Sequence, residues 1–164
     1  MLPTPFQPKG IQTVVPYISV TGAAELVQFL ETVFEGTIVE SILNAEKLHH
    51  CHMKIGDSTI MIGEIPAPEP ASDSDDKDKK KPAGYGGVSL YVYVPDTNAV
   101  YKKAIAAGAT SLMEPAQQYY GDVNAGVQDT FGNSWWIATH TEDVGGAELQ
   151  SRSDEHIAKR SKKE

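Results

Sequence analysis

One histidine cluster in the chain lies at His49–His52. Alternate side chains of an extended strand point to opposite faces, so His50 and His52 share one face and His49 lies on the other. Two histidines on one face could accept a proton or hold an anionic group. Alternatively, the pair lies on a solvent face or at a dimer interface. The two side chains would hold a metal ion only if an acidic residue from another strand converged on them.

Aromatic residues form a second candidate group. Tyr91 and Tyr93 alternate with apolar residues and therefore share a face with Ser89. Trp135 and Trp136 are adjacent, so they face opposite sides of the last strand-like run. Rings in this pattern favour stacking on a flat ligand, or packing in a core where each hydroxyl group needs only a hydrogen-bond partner.

Two polar motifs flank the last predicted strands: Tyr119–Asp122 (YYGD) and His140–Asp143 (HTED). A Tyr120 hydroxyl and an Asp122 carboxylate could orient a polar ligand, while a turn capped by Asp122 is equally consistent with the pattern. The HTED spacing is compatible with acid–base chemistry, but we interpret it as fixing the exit of the chain by hydrogen bonds. We find no nucleophile elbow, phosphate-binding glycine loop or paired-cysteine zinc motif.

Composition narrows the possible function classes. The chain has 164 residues, 40% of them hydrophobic, and a net charge of −8. These values are typical of a soluble globular domain and argue against binding to nucleic acid, which requires clustered Lys and Arg. No apolar run approaches the length of a membrane span, and Met1–Gly10 does not resemble a signal peptide. The single Cys51 fits a reducing compartment, so we expect a cytoplasmic protein.

A repeated order of elements organises the chain. A strand, a helix and three further strands occur in residues 13–63 (module one) and again in residues 88–144 (module two). Module one is predicted to have strands at Thr13–Val20, Thr37–Leu43, Leu48–Ile55 and Ser58–Gly63, and a helix at Gly22–Phe34 with Thr21 as its N-cap. Module two is predicted to have strands at Val88–Val94, Thr110–Met113, Ala125–Gln128 and Ser134–Thr139, a helix from the N-cap Asp96 to Gly108, and a turn at Asp129–Asn133.

The segments outside the modules are polar. Residues 64–87 are rich in Pro, Asp, Ser and Lys, and we interpret them as a linker, with a lid over the site as the alternative. Residues 1–12 and 145–164 are predicted to be flexible ends, the second of which either forms a short exposed helix or frays. Because each module alone leaves one sheet face bare, we expect an α+β fold in which two curled mixed sheets surround a ligand cavity.

The closing segment Tyr120–Val144 (YGDVNAGVQDTFGNSWWIATHTEDV) resembles the PhnB-like branch of the glyoxalase/bleomycin-resistance/extradiol dioxygenase (vicinal oxygen chelate) superfamily. Leu90–Met113 and His50–Ile62 are similar to the same branch, and the resemblance covers residues 13–144. Thr130 departs from the pattern, because the family usually has proline in this turn. The resemblance implies two βαβββ modules and a homodimer.

Metal-dependent members of this superfamily carry four inward ligands, on the first and last strands of the two modules. The resemblance assigns these positions to Val15, Ile60, Ser89 and Trp136. Three of these side chains have no lone pair suited to a divalent cation, and a serine hydroxyl is a poor ligand. We therefore expect the metal site to be lost, with no metal or other cofactor. The same register places Trp136 in the cavity.

These observations predict a metal-free small-molecule-binding protein for an aromatic or drug-like ligand. Its predicted ligand-binding residues are His50, His52, Ser89, Tyr91, Tyr93, Tyr120 and Trp136. One alternative is a metal-dependent lyase, isomerase or dioxygenase with a site rebuilt around His50 and His52. A second alternative is a dimeric interaction module whose cavity has collapsed.

Overall fold

The computed structural model describes residues 6–67 and 87–161, which form two compact units that divide after Gly87. Within these residues the fold is α+β, with two four-stranded mixed sheets and three helices. Each unit begins with a strand, a helix and three strands, as the repeat predicts. Most of the predicted linker lies outside the described residues. No helix in the described ranges combines the length and apolar character needed to cross a membrane.

The first unit contains one helix and one sheet. Its elements are β1 (Tyr17–Val20), α1 (Ala23–Phe34), β2 (Thr37–Asn44), β3 (Lys47–Ile55) and β4 (Ser58–Glu64). The strand order is β1-β4-β3-β2, with β1 parallel to β4 and the other neighbours antiparallel. Helix α1 packs on β3 and β4 and buries an apolar stripe that includes Leu26, Leu30 and Val33. Amphipathic spacing therefore pins the helix to one sheet face.

Strand β1 begins at Tyr17, not at Thr13 as predicted. Pro16 has no N–H group to donate to a ladder, and only its carbonyl oxygen joins the sheet, where it accepts the amide of Met61 at 2.9 Å. The β-branched residues before Pro16 therefore lie outside the strand.

The predicted N-cap of α1, Thr21, is wrong. Gly22 is the N-cap residue, at φ 95°, and glycine has no side chain that could accept a cap hydrogen bond. The carboxylate of Glu64, at the end of β4, instead accepts the amides of Gly22 at 3.1 Å and Ala23 at 2.6 Å. An acidic group at a helix N-terminus also interacts favourably with the helix dipole. The helix start is thus fixed by the sheet, and Thr21 bonds to the Ile65 carbonyl.

The second unit repeats this architecture and adds a terminal helix. Its elements are β5 (Ser89–Tyr93), α2 (Thr97–Ala106), β6 (Thr110–Gln117), β7 (Asp122–Gln128), β8 (Ser134–His140) and α3 (Gly146–Ser161). The strand order is β5-β8-β7-β6, with β5 parallel to β8. The predicted cap is confirmed, because the Asp96 carboxylate accepts the Ala99 amide at 3.0 Å. Of the two alternatives for the C-terminal segment, the helix is the one that Gly146–Ser161 forms.

Helix α2 determines which side chains of the second sheet are covered. The Thr97 hydroxyl lies 2.8 Å from that of Thr139 and donates to the Val123 carbonyl at 3.0 Å. Trp135 and Ile137, which alternate with neighbours on β8, are fully buried. The residues between and beside them on β8, which include Trp136 and His140, must then point away from α2. We call the sheet face opposite α1 the first open face and the one opposite α2 the second open face.

The turn between β7 and β8 is built around Asp129. Its buried carboxylate accepts the amides of Phe131 and Asn133 at 2.9 Å, the Asn133 side chain at 2.8 Å and the Trp135 indole at 2.9 Å. Four donors satisfied by one carboxylate fix the register of β8 against β7. This register pairs Asp122 with His140 and Gly126 with Trp136.

Candidate ligand-binding site

The second open face carries an aromatic surface. Tyr91 on β5 pairs with Trp136 on β8, which pairs with Gly126 on β7. Tyr91 is 45% exposed and Tyr93 is 64% exposed, and their ring centroids lie 5.3 Å apart. The structure therefore places Ser89, Tyr91, Tyr93 and Trp136 on one face, in the alternation that the sequence predicted.

The Trp136 ring lies over the backbone of Gly126. A Cβ atom at Gly126 would come within 2.7 Å of the indole carbon Cζ3, so a side chain there would displace the ring. The indole N–H donates to the Ser89 hydroxyl oxygen at 3.2 Å. Ser89 and Trp136 are therefore bonded to each other at two of the positions where the resemblance implies metal ligands. An indole and a serine hydroxyl do not fit a divalent cation.

A buried carboxylate lies beside this aromatic surface. Asp122 is 3% exposed, and its Oδ2 accepts the hydroxyls of Tyr91 at 3.0 Å and Tyr93 at 3.1 Å. Its Oδ1 lies 2.8 Å from Nδ1 of His140. Tyr120 also hydrogen bonds to Tyr91. We call Tyr91, Tyr93, Tyr120, Asp122 and His140 the Asp122 cluster.

The tyrosine hydroxyls of the cluster are held in their neutral form. Burial, with the hydrogen bonds to Tyr120 and Asp122, raises the pKa of Tyr91 well above its usual value. The hydrogen bond to Asp122 likewise raises the pKa of Tyr93. Phenolate formation beside a buried carboxylate would place two negative charges together, which is unfavourable. The rings therefore act as neutral hydrogen-bonding groups.

His140 lies between two carboxylates. Its Nδ1 faces Asp122, and its Nε2 lies 2.9 Å from Oδ1 of Asp143, an exposed residue. The hydrogen bond to Asp122, and then that to Asp143, raise the pKa of His140. The protonated imidazolium can donate to both carboxylates at once, whereas the neutral ring can donate to only one.

Sequence reasoning did not include Asp122 and His140 among the ligand-binding residues. It left Asp122 open between ligand contact and turn, and interpreted His140 as fixing the chain exit. Both lie in the motifs that the sequence singled out, but their contact depends on the β7–β8 register. The signal that could have found them is the buried Asp129 turn, because it sets that register.

The first open face carries the predicted histidine pair and a tyrosine that was not predicted. The hydroxyl of Tyr17 lies 3.2 Å from Nδ1 of His50, and the two rings stack with centroids 5.5 Å apart. His50 and His52 lie 4.9 Å apart, centroid to centroid. The acidic residue Glu40 lies 3.9 Å from His52. Burial, followed by the charges of His52 and His49, lowers the pKa of His50.

Two of the inferred ligand positions do not lie on the first open face. Val15 precedes β1, and Ile60 is buried in the core with Ile62 and Met53. The two-residue turn at Gly56-Asp57 pairs Ile60 with Met53, so Met61 takes the open-face position beside Tyr17. The ligand position inferred at about Ile60 therefore lies in the core, and the neighbouring residue Met61 is the one on the open face. Among the described side chains, no three His, Cys, Asp or Glu residues form a group suited to a metal ion.

Residues 10–137 match the family model of the Glyoxalase/Bleomycin resistance protein/Dioxygenase superfamily, and the chain belongs to that superfamily. The predicted superfamily membership is therefore confirmed, while the PhnB-like branch stays a prediction.

A relative in Mycobacterium bovis, itself uncharacterised, is 26% identical over 139 residues, or 83% of this chain and 88% of the relative. TioX from Micromonospora sp. ML1 has a similar structure, with a TM-score of 0.62, 19% identity, and coverage of 79% of this chain and 98% of TioX. The fosfomycin resistance protein FosX from Listeria monocytogenes, solved with Mn(II) and 1S,2S-dihydroxypropylphosphonic acid, has a TM-score of 0.53 and 12% identity. The match between the two structures covers 85% of this chain and 94% of FosX. At these identities the two structures share the fold alone.

Proposed function

We propose that this protein binds a small aromatic molecule on the second open face and does so without a metal ion. The observation that carries the proposal is the hydrogen-bonded aromatic surface of Tyr91, Tyr93 and Trp136, in which both tyrosines are exposed and Trp136 is half-buried. Binding sites are commonly lined by aromatic rings with a few fixed polar groups, and the Asp122 cluster supplies such groups here. Ser89 and Tyr120 complete the proposed contacts.

The rings of this surface are held before any ligand arrives. Asp122 fixes both tyrosines through their hydroxyls, and Ser89 fixes Trp136 through its indole N–H. A surface whose side chains are already ordered loses less conformational entropy on binding. Preorganisation of exposed rings therefore supports a binding role over plain core packing, which would bury them.

The metal-dependent alternatives have less support from the donor groups. Ser89 and Trp136 do not fit a divalent cation, and within the described residues the acidic neighbour of the His50–His52 pair is Glu40, at 3.9 Å from His52. Lyase, isomerase or dioxygenase chemistry of the metal-assisted kind needs a fuller set of ligands. His50 and His52 remain predicted ligand contacts, on the first open face. The superfamily resemblance and the composition also lead us to propose a cytoplasmic homodimer.

The test is a titration with acridine, a flat aromatic probe, at mildly alkaline pH, where acridine is neutral. We expect saturable heat in calorimetry and quenching of intrinsic fluorescence. Trp136→Phe should lose most of the quenching and retain the heat, because a ring remains. Trp136→Leu should weaken binding by about tenfold, because aromatic stacking is lost.

A matched control separates the proposed site from the rest of the unit. Tyr101→Phe changes a tyrosine of α2 whose hydroxyl bonds to Ser111 at 2.8 Å, outside the Asp122 cluster. This variant should bind acridine like the unmodified protein. Equal acridine affinity in Trp136→Leu and the unmodified protein would count against the second open face as the site.

A further inference from the structure

The hydroxyl protons of Tyr91 and Tyr93 are committed within the Asp122 cluster. A phenol has one proton to donate, and those of Tyr91 and Tyr93 both go to Oδ2 of Asp122. The Tyr93 oxygen therefore has only lone pairs left to offer.

The charged groups near the Tyr93 oxygen also favour a ligand that carries a positive charge. Asp122 and Asp143 lie on either side of His140, so two carboxylates are set against at most one positive charge. The guanidinium of Arg152 is bound by Glu142 at 2.7 Å and by Glu148 at 2.6 Å. The cluster together with Asp143 is thus negative even when His140 is protonated, and it favours a positive ligand.

The faces of the tyrosine rings also favour a positively charged ligand. A cation placed over an aromatic face is attracted by the electrons of the ring, and Tyr91 and Tyr93 are exposed and adjacent. A ligand without a donor would cover the Tyr93 oxygen and leave its lone pairs without a hydrogen-bond donor, which costs free energy. An anionic ligand would also meet the carboxylates.

We propose, on the basis of the proposed function, that the second open face selects an aromatic cation. A protonated nitrogen of the ligand donates to the phenolic oxygen of Tyr93, while its ring system stacks on Trp136. The ligand class is therefore a flat molecule with an amine or amidine-type nitrogen.

Three acridines of similar size and different charge test this selectivity. At mildly alkaline pH, 9-aminoacridine is a cation, acridine is neutral and acridine-9-carboxylate is an anion. Calorimetry on the full chain should give an affinity for 9-aminoacridine about tenfold higher than that for acridine. The carboxylate should bind most weakly.

Tyr93→Phe removes the acceptor oxygen and keeps both the aromatic ring and the net charge of the chain. The variant should lose most of the preference for 9-aminoacridine over acridine, while acridine affinity changes by less than about twofold. Tyr101→Phe makes the same chemical change on α2 and should keep the preference. Since neither variant alters the net charge of −8, general attraction of cations to the chain is constant.

The outcomes distinguish the inference from the proposed function. Equal affinities for 9-aminoacridine and acridine, or an unchanged preference in Tyr93→Phe, would overturn the cation inference while acridine binding still supported an aromatic site. Absence of saturable binding for all three acridines would overturn both proposals.

Discussion

The two open faces share an aromatic layer but differ in what holds the rings. Tyr17 lies over Gly63 on the first face, and Trp136 lies over Gly126 on the second, so a glycine makes room for a ring in both units. On the first face, Tyr17 contacts His50, a partner that can change its charge near neutral pH. On the second face, the rings are anchored to Ser89 and to the buried Asp122.

This difference shows how one repeated architecture can give two chemical surfaces. A buried carboxylate that accepts three hydrogen bonds fixes its donors, so the second face presents ordered rings beside an acidic group. The first face has two neighbouring histidines, whose positive charges would repel one another. The two faces are therefore unlike in charge, in rigidity and in the ligands they suit.

The largest expected effect concerns the turns that set the strand registers. Asp129→Ala removes a buried carboxylate with four donors, including the Trp135 indole and the Asn133 side chain. We expect a loss of about 3 kcal/mol or more in the free energy of unfolding, because buried donors lose their partner. Urea denaturation followed by circular dichroism measures this change.

Asp57→Ala is the matched control in the first unit. Asp57 is exposed in the β3–β4 turn, and its carboxylate accepts only the Ser58 hydroxyl among the bonds found for it, at 3.0 Å. The change should stay within about 0.5 kcal/mol, as at other exposed positions. Equal losses in the two variants would show that the second unit does not depend on the buried carboxylate of Asp129 for its stability.

A smaller effect is expected at two buried threonines. Thr97 is 1% exposed and its hydroxyl contacts Thr139 and the Val123 carbonyl, whereas Thr59 is 2% exposed and its hydroxyl has no hydrogen-bond partner within the described residues. Thr97→Val should cost about 1 to 2 kcal/mol, and Thr59→Val should be neutral or stabilising by up to about 1 kcal/mol. Thermal or urea unfolding of the two variants side by side compares them. The same sign for both would contradict the assignment of a satisfied and an unsatisfied hydroxyl.

The sequence predicted the elements well because periodicity and repetition are local signals. The order of strands and helices, the cap at Asp96 and the shared face of Tyr91 and Tyr93 follow from spacing alone. The boundary of β1 was wrong because Pro16 lies inside a β-branched run. The cap of α1 was wrong because its partner, Glu64, is distant in the sequence.

The candidate site was predicted less completely for the same reason. Tyr91, Tyr93 and Trp136 share a face through local alternation, whereas Asp122 and His140 meet only through pairing of β7 with β8. The inferred ligand position at Ile60 missed by one residue, because a one-residue shift in register moves a side chain to the other sheet face. Long-range register is the information that spacing alone does not contain.

The smallest expected effect is a difference in titration between the histidines of the two faces. The hydrogen bonds to Asp122 and Asp143 raise the pKa of His140, and burial with the neighbouring histidines lowers the pKa of His50. The ordinary value is about 6.5. We therefore expect the imidazole proton resonances of His140 to titrate above those of His50 in an NMR pH series, with His50→Gln and His140→Gln providing the assignments.

The two shifts affect stability in opposite directions. A raised pKa in the folded state stabilises the fold below about pH 6.5, and that contribution is lost as the pH rises through the folded-state pKa of His140. A lowered pKa in the folded state, as for His50, stabilises the fold above about pH 6.5, and that contribution is lost as the pH falls through the folded-state pKa.

Asp122→Asn removes the acceptor charge beside His140, so it should lower the pKa of His140 and leave that of His50 unchanged. If His140 titrated at or below His50 in the unmodified protein, the contrast between an anionic and a histidine-lined face would fail. If the pKa of His140 did not move in Asp122→Asn, Asp122 would not be the cause of the raised pKa. Asp143 would then be the remaining carboxylate that hydrogen bonds to the ring.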